Sequence, residues 1–159
     1  MFDGKVALVT GGTRGIGAAI TTMLAGSGAR VAAGYSKGRD GAEALQAKLK
    51  DGGGDISVHQ GRVDDATDCE RVVKEVLERF GRIDFLINNA GITVDKTVRR
   101  MSNDDWHAVI GVNLSGSFHM IKAVIEHMIE RGSGRIVNIS SVIGETGNIG
   151  QANYAASKA

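Results

Sequence analysis

Five short apolar runs alternate with longer stretches whose apolar residues recur at helical spacing, and this alternation constrains the chain more than any other feature. Residues 5–10 read as a short buried strand, and 29–33, 56–59, 83–87 and 135–139 as further strands. Between them, Ile16, Ile20, Met23 and Leu24 share one helix face, as do Ala42, Leu45 and Leu49, and then Val72, Val73, Val76, Leu77 and Phe80. Ser102 with Asp105 three residues on reads as a capping box. It opens a long helix carrying Trp106, Ile110, Leu114, Phe118, Ile121, Ile125 and Met128. Strands joined through helices pair in parallel, with helices on both faces. Right-handed crossovers then narrow the topology to an α/β fold with a doubly wound, Rossmann-type parallel sheet. The 159 residues suit one domain, without linker, repeat or low-complexity tract.

The first strand runs directly into Thr10-Gly11-Gly12-Thr13-Arg14-Gly15-Ile16-Gly17, and a helix begins inside this run. Glycines there let the backbone turn sharply and bring free amides close to a pyrophosphate. The spacing is GxxxGxG rather than GxGxxG, but a glycine-rich turn between a buried strand and an amphipathic helix is the context a dinucleotide requires. NAD binders place an acid at the end of the second strand. Here that stretch is Gly34-Tyr35-Ser36-Lys37-Gly38-Arg39, without a carboxylate. Arg14 and Lys37, with Arg39 as a weaker candidate, would attract a 2′-phosphate that an acid would repel. The expected cofactor is NADP(H).

With 19 basic and 18 acidic residues and no basic block, neither nucleic acid nor an anionic membrane is an expected partner. No signal peptide and no apolar run of membrane-spanning length are read in the sequence, so a soluble cytoplasmic protein is expected. The single cysteine, Cys69, permits no intrachain disulfide. His59, His107, His119 and His127 lack metal-site spacing, and no metal is expected.

Tyr154 and Lys158 stand four apart, so on a helix they share a face. An ammonium there favours the phenolate left when a tyrosine gives up its proton, which suits Tyr154 to proton donation. Ser141 offers a hydroxyl to a carbonyl oxygen. Five motifs in order resemble the short-chain dehydrogenase/reductase family: TGGTRGIG at 10–17, Asn88-Asn89-Ala90-Gly91, Asn113, Ser141, and Tyr154-Ala155-Ala156-Ser157-Lys158. The resemblance implies that Tyr154 protonates a carbonyl oxygen as hydride arrives from the nicotinamide, and that Lys158 also binds the nicotinamide ribose. It further implies that Asn113 helps hold a proton-relaying water, that Asn89, Ala90 and Gly91 lie beside the cofactor, and that Val63 contacts the adenine through its backbone. Gly11, Thr13, Arg14, Gly15, Ile16, Gly17, Tyr35 and Lys37 complete the implied cofactor site. The family's serine-to-tyrosine spacing selects Ser141 over Ser140.

Residues 91–96, 101–106 and 150–154 are similar to the family branch that reduces 3-oxoacyl thioesters on acyl carrier protein or CoA, in fatty acid or polyhydroxyalkanoate synthesis. Gln151 then contacts the acyl chain or caps backbone, and Arg99, Arg100 and Arg131 face an acidic carrier or are plain surface charges. The alternatives are a reductase of another small ketone or sugar, or a nucleotide-binding module without catalysis. The resemblance also implies a homo-oligomer, dimer or tetramer, through the long helix.

Two departures stand out. Arg62 occupies the position where the family has Asp or Asn beside the adenine; an arginine cannot accept the bond an adenine amino group offers. It stacks on the base instead, or Asp64 or Asp65 takes the contact. The chain also stops at Ala159, one residue after Lys158. Against the family pattern this reads as a fragment lacking the C-terminal strands and substrate lid, with an exposed sheet edge and little activity alone.

Overall fold

The computed structural model describes residues 1–159. In chain order the elements are β1 (Val6–Val9), α1 (Gly15–Gly26), β2 (Arg30–Tyr35), α2 (Arg39–Asp51), β3 (Ile56–Gln60), α3 (Ala66–Phe80), β4 (Phe85–Asn88), α4 (Asn103–Ile110), a π-helical turn (Gly111–Ser115), α5 (Gly116–Glu130), β5 (Arg135–Asn138), α6 (Val142–Thr146) and α7 (Ala152–Lys158). All five strands pair in parallel, in the order β3-β2-β1-β4-β5. The order reverses on either side of β1, and in open α/β sheets the crevice outside the strand ends at that reversal is where ligands bind.

Each residue of β1 is fully buried, as a central parallel strand covered on both faces must be. Its alternation divides the core. Val6 and Leu8 join Val72, Val73, Val76 and Phe80 of α3 and Met120, Val124 and Met128 of α5. Ala7 and Val9 join Leu24 of α1 and Val31, Ile56 and Ile87 of the neighbouring strands. Truncating Leu8 to alanine costs about 2–5 kcal/mol, the range for a large aliphatic side chain in such a core.

Asp84 ties the opposite end of the sheet. Its buried carboxylate accepts from the Val6 amide at 2.9 Å, from Arg82 Nε at 2.8 Å and from Arg131 at 3.2 Å. Arg131 also donates to the Ile83 carbonyl at 3.1 Å. It is therefore committed within the subunit, contrary to the expectation that it could face a carrier.

The helix opened by Ser102 carries the expected capping box, with Ser102 accepting from the Asp105 amide and the Asp105 carboxylate accepting from the Ser102 amide. It differs from expectation in two ways. The π-helical turn interrupts it at Gly111–Ser115, and its buried stripe is Val109, Asn113, Gly116, Met120, Val124 and Met128. Trp106, Leu114, Phe118 and Ile129 are exposed. The helix thus has two apolar faces, and only one meets the sheet and α3. From Asn103 to Glu130 it is long and apolar enough to cross a membrane by length and composition, which corrects the sequence reading. One face of it carries buried Asn113 and packs on α3.

Candidate active site

A crevice of about 840 Å³ opens at the C-terminal ends of β1, β2, β3 and β4. It is lined by Gly11, Thr13, Arg14, Gly15, Ile16 and Gly17 of the glycine loop, by Tyr35 and Lys37 at the end of β2, by Val63 beyond β3, and by Asn89, Ala90 and Gly91 beyond β4. The residues expected to hold a dinucleotide, apart from Arg39 and the two of the catalytic helix, thus reach one cavity. Its size lies within the range of small-molecule sites.

The loop is shaped for an anion. Helix α1 begins without a capping side chain and without an acid in its first turn, whereas α3 is capped by Asp65 and α4 by Ser102. Amides at an uncapped helix start, at the positive end of the helix dipole, bind phosphate. Gly15 has φ +52°, and a Cβ built there meets nothing within 4 Å. That open space is where a ligand can come up against backbone. Gly17 is needed for the opposite reason: a Cβ there would overlap the Gly11 carbonyl and stand 2.6 Å from Asn89 Nδ2.

Thr10 opens the glycine-rich run without a role of its own in the sequence reading, yet its buried hydroxyl organises this end of the crevice. It accepts from the Asn89 and Ala90 amides, both at 3.0 Å. Asn89 Nδ2 answers by donating to the carbonyls of Thr10 at 2.9 Å and Gly11 at 3.2 Å. The glycine loop and the β4 exit are therefore locked together. The only signal for this was a threonine closing an otherwise apolar strand.

No carboxylate stands at the end of β2, and the bases that line the crevice near it are Arg14 and Lys37. Arg39 is instead paired with Glu43 along α2, Nε to carboxylate at 2.7 Å, and does not line the crevice.

The catalytic-motif residues gather beside the crevice rather than in its lining. Lys158 Nζ lies 3.7 Å from where a Cβ on Gly91 would stand, and it donates to the Ile139 carbonyl at 2.6 Å. Burial lowers its pKa from the ordinary lysine value. Tyr154, one turn earlier on α7, is partly buried. The two serines after β5 divide their duties. Ser140 spends its proton on the Lys158 carbonyl at 2.6 Å. Ser141 caps α6 by accepting from the Ile143 amide at 3.2 Å, so its own proton remains to donate elsewhere.

Asn113 sits in the π-helical turn, a deformation that often marks functional positions. Its Oδ1 accepts from the Ile92 amide at 2.8 Å, and its Nδ2 donates to the Ile92 carbonyl at 3.0 Å and to Ser157 Oγ at 2.9 Å. Fully buried Asn153, in the first turn of α7, donates to the Val94 and Asp105 carbonyls. Gln151, just before that helix, donates to Asp95 at 3.1 Å and accepts from Asn148 at 2.8 Å. Three of the four histidines serve as internal hydrogen-bonding groups: His59 with Ser57 and Glu75, His119 with the Val63 carbonyl, and His127 with the Ile83 amide.

Comparison with known proteins decides what this assembly is. The family model for short chain dehydrogenases matches residues 5–159. The chain belongs to the short-chain dehydrogenase family. It is 46% identical over 155 residues to a 3-oxoacyl-[acyl-carrier-protein] reductase of Synechocystis, 98% of this chain and 63% of that protein. The Staphylococcus aureus protein of the same name, FabG, is 45% identical with the same coverage. FabG of Escherichia coli is 44% identical over 158 residues, 99% of this chain and 63% of the relative. The chain thus spans about 63% of the length of these curated relatives. A nicotinamide cofactor is general in this family, and the uncapped α1, the open Gly15 position and the facing bases fit a dinucleotide phosphate.

Proposed function

We propose that this chain is a single Rossmann-type NADP-binding domain carrying the catalytic motif of a reductase, whose full reaction converts a 3-oxoacyl thioester to the 3-hydroxyacyl thioester with NADPH. Arg14 and Lys37 hold the 2′-phosphate, the α1 amides hold the pyrophosphate, and Lys158 holds the nicotinamide ribose. Bound NADPH supplies a hydride to the carbonyl carbon. Ser141 directs its free proton to the carbonyl oxygen and orients it, while Tyr154 delivers the proton that completes the alcohol. Lys158, one turn away, stabilises the phenolate that remains. Asn113 braces α7 and the loop after β4, and keeps a proton-relaying water near Lys158. Gln151, held by Asp95 and Asn148, stands at the entrance of the substrate side.

The substrate class rests on one observation, the near-complete coverage of this chain by relatives named 3-oxoacyl-[acyl-carrier-protein] reductase at 44–46% identity. The same relationship supports a role in fatty acid synthesis. Exposed Arg99 and Arg100 make no ion pair within the chain and suit an acidic carrier. The exposed Trp106, Leu114 and Phe118 suit pairing with a second copy in a cytoplasmic homo-oligomer. NADPH binding by the chain, and NADPH oxidation with acetoacetyl thioesters of CoA and of acyl carrier protein against unrelated ketones by a version extended to the length of its relatives, test the reading. Turnover confined to thioesters and lost in Tyr154→Phe upholds it. Failure to bind NADPH, or reduction that survives Tyr154→Phe, defeats it.

A further inference from the structure

At the outer edge of the sheet, Ser57 and His59 stand two apart on β3 and turn to the same face. His59 Nε2 lies 2.8 Å from Ser57 Oγ, and His59 Nδ1 lies 2.8 Å from a carboxylate oxygen of Glu75 on α3. The other Glu75 oxygen accepts from Arg71 at 2.7 Å. We infer that Ser57, His59 and Glu75 form a second reactive site, in which the Ser57 hydroxyl takes an acyl group from a small activated ester or thioester. The inference stands apart from the dinucleotide reading. Neither Ser57 nor Glu75 lines the nucleotide crevice, although His59 reaches it.

The direction of these hydrogen bonds is fixed. Burial pushes the Glu75 pKa up, but the hydrogen bonds from His59 and Arg71 outweigh it, so the carboxyl is held below its ordinary value. An ionised carboxylate only accepts, so His59 Nδ1 carries the proton and donates. In the neutral ring Nε2 is then the bare nitrogen, and Ser57 donates to it. Nucleophile, base and orienting acid follow in the order that activates a serine, an arrangement recognised by geometry and roles rather than by fold.

The backbone alongside supplies a donor for an oxyanion. In a parallel ladder every second residue of an edge strand turns its amide and carbonyl away from its one neighbour. The Val31 amide bonds the Asp55 carbonyl and the Gly61 amide bonds the Tyr35 carbonyl, so Ile56, Val58 and Gln60 are the residues turned outward. Gln46 covers the Ile56 carbonyl at 2.9 Å and Arg71 covers the Gln60 carbonyl at 2.8 Å. Val58, between them, is left with a free amide. The amide of the residue after the nucleophile is the donor that serine hydrolases use at a nucleophile elbow. An open pocket of about 670 Å³ is lined by Ser57, Val58, His59 and Glu75 together with Arg79, whose positive charge favours a developing oxyanion. Ser57 is 6% and His59 8% exposed, which limits the site to small acyl groups.

In the transfer step Ser57 Oγ bonds to the carbonyl carbon while its proton passes to His59 Nε2, and Glu75 stabilises the imidazolium. The carbon–oxygen or carbon–sulfur bond of the donor breaks, and the imidazolium returns the proton to the leaving group. Water, deprotonated by the same ring, then cleaves the acyl-serine to the carboxylic acid and the free hydroxyl. Nothing is oxidised or reduced.

The test treats the 159-residue chain with para-nitrophenyl acetate at neutral pH. Nitrophenolate release gives the rate, and peptide mass spectrometry locates the acetyl group. The expected result is a stoichiometric burst with the acetyl group on Ser57, abolished in Ser57→Ala and absent from Ser57 in denaturant. His59→Gln slows acetylation at least about a hundredfold, the lower end for loss of a general base. Should that variant fail to fold, as circular dichroism reports, Glu75→Gln carries the comparison. It keeps the size of the side chain but removes the ionised acceptor, and it slows acetylation at least about tenfold, since the ring loses its orienting charge. A Ser57 that stays unmodified in the native chain, or is acetylated equally in denaturant, overturns the inference. So does a rate that survives in whichever folded variant lacks the base or its acid, and the three side chains then only pin β3 to α3.

Discussion

Replacing Asp84 with alanine is the sharpest test of how the sheet is anchored. The side chain is 4% exposed and receives the Val6 amide, two nitrogens of Arg82 and one of Arg131. Without it the Val6 amide, at the buried start of the central strand, has no acceptor, which costs about 1–3 kcal/mol. Arg82 and Arg131, with side chains 35% and 24% exposed, lose their counter-charge and reach water only in part. Breaking a buried pair from one side costs about 3–5 kcal/mol in total. At about 2–4 °C per kcal/mol for a chain of this size, the melting temperature falls by roughly 6–20 °C. Urea unfolding followed by far-ultraviolet circular dichroism gives the free energy, with the denaturant slope unchanged. The pH dependence has a definite sign. Burial pushes the Asp84 pKa up, but Arg82, the Val6 amide and Arg131 together outweigh it, so the pKa is lowered. The contribution is therefore full above the unfolded carboxyl's pKa of about 3.9 and fades as pH falls through the lower folded value. The gap between wild type and Asp84→Ala closes in acid. A loss under about 1 kcal/mol at neutral pH, well below the range for a broken buried pair, or a gap that widens in acid, refutes the reasoning.

Gly15→Ala places a methyl in the open crevice at a positive φ that costs about 1–2 kcal/mol for an L-residue; it lowers stability by about that much and weakens NADPH binding by more than about tenfold, both read by a ligand-dependent melting shift. Asn113→Ala removes three hydrogen bonds linking α7 to the loop after β4. It destabilises the chain by about 2–4 kcal/mol by leaving buried groups unpaired, measured by urea unfolding, and hydrogen exchange at Ile92 accelerates. Burial first, then Asp68, Asp65 and Asp64, push the Cys69 thiol up to about 11, so it resists a thiol-specific reagent at neutral pH in the native state and reacts stoichiometrically in denaturant.

The order of strands and helices was legible because each strand is a compact apolar run bounded by polar or glycine residues, and α2 and α3 each show a single stripe. In α1 the buried positions are Gly17, Thr21 and Leu24, whereas Ile16 and Met23, expected on the core face, are exposed because that helix packs through small residues. The long helix misled because it has two apolar faces. Trp106, Leu114 and Phe118 recur at perfect helical spacing and still face outward, while the stripe that meets the sheet contains Asn113 and Gly116, which an apolar count passes over. The π-helical turn left no trace either, since apolar residues flank it in ordinary register. Within the site, the motif residues could be named from their types and order. The spacing of the family motif already points to Ser141 over Ser140, and the coordinates add that the Ser140 hydroxyl is committed to the Lys158 carbonyl. Asp84 was invisible for a different reason: its partners at Val6 and Arg131 are 78 and 47 residues away, and no local pattern joins them.

Asn113 fastens the loop at Ile92, 21 residues behind it, to Ser157, 44 residues ahead. The rim of the nucleotide crevice and the helix bearing Tyr154 are therefore pinned to one side chain. On the proposed reading, a ligand settling at that rim finds the phenol's helix already anchored to the same bracket.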